Sequence, residues 1–112
     1  MSGPSNPYLE PASFGLELMA DLDLGLDGEY DMVCVWRHAM TGIWYAAADT
    51  GDCHPVPFDD FTGDHLTPVF TLDSVADFAR DAWRDTPEPK REHAVNVLVD
   101  LVKAAWRKAG VR

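Results

Sequence analysis

Residues able to do chemistry are densest between positions 43 and 61, which read IWYAAADTGDCHPVPFDDF. Asp49, Asp52, Cys53 and His54 offer oxygen, sulfur and nitrogen donors in close succession, the donor set of a zinc or other divalent metal site. Asp59, Asp60, Asp64 and His65 follow closely. A zinc site ordinarily draws on two well-spaced ligand pairs, and no second pair of comparable spacing is present. The simpler reading has Asp49 and Asp52 capping turns through side-chain to backbone hydrogen bonds. Cys53 as a nucleophile would need a base held by a third group and donors for an oxyanion. His54 adjoins it, but neighbouring side chains on an extended loop diverge. No Gly-rich phosphate loop, Gly-x-Ser-x-Gly elbow or His-Glu-x-x-His helix accompanies it. A divalent metal is therefore the alternative reading of this stretch, and a cysteine-dependent enzyme a further one.

The stretch has to be held by what surrounds it. Residues 43–48 form an apolar strand that the Asp49-Thr50-Gly51 triplet is expected to turn, and Pro55 and Pro57 bar a helix or central strand beyond. Upstream, Phe14, Leu16, Leu18, Ala20 and Leu22 alternate with Gly15, Glu17, Met19, Asp21 and Asp23, a period of two that predicts a strand with one dry face. Gly25, Asp27 and Gly28 mark a turn. Residues 30–38 predict a second strand, apolar on both faces in its middle and hence central, with Cys34 a small buried hydrophobe. Gly42 is available for positive φ in the next turn.

Downstream, Leu72, Val75, Ala76, Ala79, Ala82 and Trp83 recur at helical spacing, as do Ala94, Val95, Leu98, Leu101, Val102, Ala105 and Trp106. Thr86-Pro87-Glu88-Pro89 separates the two helices, and Gly110 is placed to close the second. The expected fold is α+β: a three-stranded antiparallel meander packed against two C-terminal helices, with a long irregular loop between. Residues 1–12, with Pro4, Pro7 and Pro11, read as an extended arm, and residues 13–112 as one domain.

Charge narrows the function. The 112 residues carry 19 acids against 9 Lys plus Arg, a net charge of -10. Residues 1–85 hold 16 of the acids against Arg37, Arg80 and Arg84, whereas residues 86–112 hold six cations against three acids. An acidic body argues against direct nucleic-acid binding, where neutralising phosphates supplies most of the affinity. It suits a protein partner with a basic surface. The expected contact residues are Asp21, Asp23, Asp27, Glu29 and Asp31 around the first hairpin, and Asp59, Asp60 and Asp64 in the loop, with Tyr45, Phe58 and Phe61 as aromatic anchors. The four Trp fall on apolar stripes and read as core. The basic C-terminal helix invites a homodimer through the side bearing Val95, Val99 and Val102. With no signal-peptide pattern, no run of about 18 apolar residues and only two cysteines, no membrane is expected and the cytoplasm is the expected location.

Three segments, FGLEL at 14–18, VCVWR at 33–37 and DTGDCHPVPFDDF at 49–61, together resemble a family of small proteins of unknown function that occurs in actinobacteria and in the bacteriophages that infect them. The third motif there resembles Asp-Ser-Gly-Cys-Ser-Cys-Pro-x-Pro-Phe-Glu-Asp. Its Cys-x-Cys positions fall on Asp52 and His54 here, with Cys53 between them, so no thiolate site carries over intact. The resemblance implies a phage or actinobacterial origin and supplies no activity.

Overall fold

A computed structural model describes residues 7, 8, 10–25, 29–52 and 65–109, without the side chain of Asp52. Four strands, β1 (Leu16–Asp23), β2 (Glu29–His38), β3 (Trp44–Asp52) and β4 (Thr67–Val69), precede two helices, α1 (Leu72–Ala82) and α2 (Glu88–Lys108). All neighbouring strands are antiparallel, in the order β1-β2-β3-β4. The α+β expectation holds, with one strand more than the sequence suggests. β4 contains Pro68, which lacks an N–H; it fits because β4 is an edge strand.

The β2–β3 turn is closed by His38, whose Nδ1 accepts from the backbone N–H of Met40 and Thr41 at 3.2 Å each. Gly42, at φ 75°, completes it. β3 does not turn at Asp49-Thr50-Gly51 as expected; it continues through them, pairing Asp49 with Met32 and Gly51 with Tyr30. Gly51 serves a close approach instead. A Cβ there would lie 2.7 Å from the Tyr30 hydroxyl oxygen.

β1 also departs from a simple reading. Leu18 pairs with Trp36 and Ala20 with Val35, so Met19 bulges out and the alternation reverses. Leu16 and Leu18 face one side of the sheet; Ala20 and Leu22 face the other, and Asp21 and Asp23 swing to the side of Leu16.

The sheet therefore has two apolar faces, as the apolar middle of β2 predicts. Helices cover one. Val33, Val35, Trp44 and Ala46 pack against Val75, Ala79, Trp83, Val95, Leu98 and Val102. Burying a residue such as Leu98, at 0% exposure, contributes about 1.5–3 kcal/mol. The other face gathers Leu16, Tyr30, Met32, Cys34, Trp36 and Ala47, with Tyr8, Phe14, Tyr45 and Leu66 packed around them. Within the N-terminal arm, the carbonyl of Pro7 accepts from Trp36 Nε1 at 2.9 Å and pins that segment down.

α1 opens on a reciprocal cap, Thr71 Oγ1 accepting from the Ser74 N–H and Ser74 Oγ from the Thr71 N–H, both at 3.0 Å. α2 opens on Pro87 and Pro89. Its Val95 and Val102 are fully buried in the monomer and Val99 packs beside them, so the side expected to form a dimer is the inner face of the fold. Among the described residues, no helix is long and apolar enough to cross a membrane.

Candidate functional site

The pleat of the sheet sorts the hairpin acids onto two sides of one end. Asp21 and Asp23, opposite Cys34 and Met32, lie on the face without helices. Glu29 and Asp31, opposite Asp52 and Thr50, lie on the helix side. There the link between α1 and α2 returns to the same end and brings Asp85. Glu29, Tyr30, Asp31, Thr50, Asp85 and Lys90 line a cleft of about 590 Å³.

Asp23 holds this end in shape. Its Oδ1 accepts from the backbone N–H of Gly25 and of Asp31, both at 2.8 Å, joining the last residue of β1 to β2 across the turn. Trp83 adds a donor from the helix layer, its indole N–H reaching the Asp31 carbonyl at 3.1 Å.

The electrostatics follow from the crowding. Burial, then the carboxylates of Asp23 and Asp85, raise the pKa of Asp31 above its ordinary value. Burial, then Asp21, raise that of Tyr8, whose hydroxyl hydrogen-bonds Asp21. Cys34, fully buried, has its thiol pushed far up, first by burial and then by Asp21 and Asp23, which leaves it inert as a nucleophile.

Five acids elsewhere are paired. Glu17 pairs with Arg37 at 3.3 Å, Asp77 and Glu92 with Arg80 at 3.3 and 3.0 Å, Asp81 with Arg84 at 3.8 Å and Glu88 with Arg91 at 3.6 Å. Among the described residues, no lysine or arginine pairs with Asp21, Asp23, Glu29, Asp31 or Asp85.

Of the expected contact residues, Asp21, Asp23, Glu29 and Asp31 are thus brought to one end. Tyr45 is partly buried against the second apolar cluster. Asp27, Phe58, Asp59, Asp60, Phe61 and Asp64 lie outside the described residues, as do Cys53, His54 and the side chain of Asp52. Asp49, the remaining member of the expected metal set, takes a bond from the Tyr30 hydroxyl at 3.5 Å and one from the Thr50 N–H at 3.0 Å. Among the described residues, no three His, Cys, Asp or Glu side chains form a group able to hold a metal ion.

Sequence reasoning missed Asp85 and Lys90. Both sit by the break between helices, where composition marks only a turn; their meeting with Glu29 and Asp31 depends on which end of the sheet that link returns to.

A sequence profile for a domain of unknown function, DUF7574, matches residues 5–110. No curated protein and no solved structure matches the chain.

Proposed function

This chain belongs to the DUF7574 domain family, and from its own surface we propose that it is an interaction protein whose acidic hairpin end docks onto a basic face of a protein partner. One observation carries the reading: five carboxylates, Asp21, Asp23, Glu29, Asp31 and Asp85, share one end, where Lys90 borders the cleft but no lysine or arginine among the described residues comes within ion-pair distance of them. Burial first, and then the neighbouring carboxylates, make a charged Asp31 costly to fold, as its raised pKa registers. A cationic partner turns that cost into affinity and into faster association at low salt.

The phage or actinobacterial setting implied by the motif resemblance offers such partners in the cytoplasm: host proteins that bind nucleic acid, whose basic faces would meet these carboxylates as they meet phosphates.

The test is calorimetric titration with an arginine-rich peptide at low and moderate salt. A triple variant, Glu29→Gln, Asp31→Asn and Asp85→Asn, keeps Asp23 and its turn intact; it should bind about tenfold more weakly, a change of about 1.4 kcal/mol. Neutralising the paired acids Asp77 and Asp81 instead should change little. Equal binding by all three proteins, or binding indifferent to salt, would sink the proposal.

A further inference from the structure

At the opposite end of the sheet the chemistry is reversed. Ile43, Trp44, Val69, Phe70 and Trp106 wall a cleft of about 260 Å³ between the β2–β3 turn, β4 and the last turns of α2. That is less than a drug-sized ligand needs and suits one large apolar side chain. Phe70, on its wall, is 73% exposed, and Met40, in the adjoining turn, 88%. Large apolar groups so exposed mark a contact surface.

Three donors here stand out beside the Thr41 hydroxyl, which accepts from the Ile43 N–H, and the Arg37–Glu17 ion pair. Among the described residues, the buried indole N–H groups of Trp44 and Trp106 and the buried Arg37 Nε have no acceptor. A Cβ on Gly42, which also lines the cleft, would lie 3.9 Å from Arg37 Nη2, so the guanidinium borders the same rim. Trp106 is flanked along α2 by Lys103 and Arg107, both exposed; among the described residues neither pairs with a carboxylate. An occupant that fits carries an apolar side chain for the cleft and negative charge for the exposed cations beside it.

We propose that this cleft docks an acidic, amphipathic segment of a second protein partner, its apolar residue entering between Phe70 and Trp106 and its carboxylates meeting Lys103 and Arg107. The protein then presents two sites of opposite charge at opposite ends of one sheet, and can bridge a basic partner and an acidic one. A second copy of this chain is disfavoured as the occupant by its net charge of -10.

The probe is a blocked peptide with a central Leu-Phe pair between Asp and Glu residues, titrated into nitrogen-15-labelled protein against the same peptide with Lys for every acid. The indole N–H resonances of Trp44 and Trp106 should shift and saturate with the acidic peptide, at a Kd of roughly 0.1–1 mM, and stay put with the basic one. Phe70→Ser, or Lys103→Glu with Arg107→Glu, should weaken binding about tenfold; all three side chains are exposed, so the fold is spared. Unmoved indole resonances, or equal response to both peptides, would overturn the proposal. Shifts produced by concentrating the protein alone would overturn it in favour of a second copy.

Discussion

The two ends of the sheet are held by different forces, and each end exposes what its own forces leave over. At the hairpin end, directional bonds do the holding: Asp23 to two backbone N–H groups and Trp83 to the Asp31 carbonyl. Such bonds need little apolar cover, so carboxylates can crowd there. At the β2–β3 end, His38 closes the turn itself, and aromatic packing joins that end to the helix layer. Trp44 and Trp106 meet edge to face with centroids 5.5 Å apart at 80°, and among the described residues their buried N–H donors have no acceptor. A surface suited to cations and one suited to acceptors thus follow from how each end is closed.

The hardest test of that contrast is Trp44→Ala. Trp44 is 4% exposed, and its truncation should cost about 3–5 kcal/mol in urea unfolding through lost burial and an unfilled cavity. Trp106→Ala should cost less, since Trp106 is only partly buried. The double-mutant cycle should return a coupling of about 0.5–1.5 kcal/mol for the ring contact. A cost for Trp44→Ala below that of Asp23→Ala would reverse the comparison.

How far the sequence announces this arrangement depends on the signal each feature leaves. α1 and α2 are legible because the apolar repeat is long and Pro87 and Pro89 punctuate the break between them. The two-sided burial of β2 is legible from Val33, Cys34, Val35 and Trp36 in succession. The bulge at Met19 is not, because a bulge inserts no characteristic residue; it is seen only when Leu18 and Ala20 are set against β2. Gly51 misleads in the opposite direction: a glycine beside Asp and Thr reads as a turn, whereas here it pairs with Tyr30 within the strand and makes room for that side chain. The acids were nameable from sequence and their grouping was not. Asp85 reaches Glu29 and Asp31 through the layer of helices, a long-range consequence of packing.

A smaller effect sharpens the hairpin end. Asp23→Ala leaves the N–H groups of Gly25 and Asp31 without their acceptor and should cost about 1–2 kcal/mol, in the range of a lost cap or exposed hydrogen bond. Asp23→Asn keeps an oxygen acceptor and removes a charge from a crowded site, so it should retain most of that stability. If Asn is as damaging as Ala, the charge rather than the acceptor holds the turn, and the division between the two ends fails.

The smallest effect concerns Asp31, and its sign decides whether the crowding is real. Burial, Asp23 and Asp85 raise its folded pKa above the unfolded value, so folding favours the neutral carboxyl. Its unfavourable contribution is absent below the ordinary aspartate range, grows as pH rises through the unfolded pKa to the raised folded one, and is then constant. Asp31→Asn should therefore raise the urea midpoint at pH 7, and the gain should vanish toward pH 3. The backbone N–H that Asp23 holds is untouched by the substitution, and added salt should shrink the difference by screening Asp23 and Asp85. A variant less stable than the parent at neutral pH, or a gain that persists undiminished in acid, would mean that Asp31 is already compensated, and the carboxylates at this end would have no charge to offer a partner.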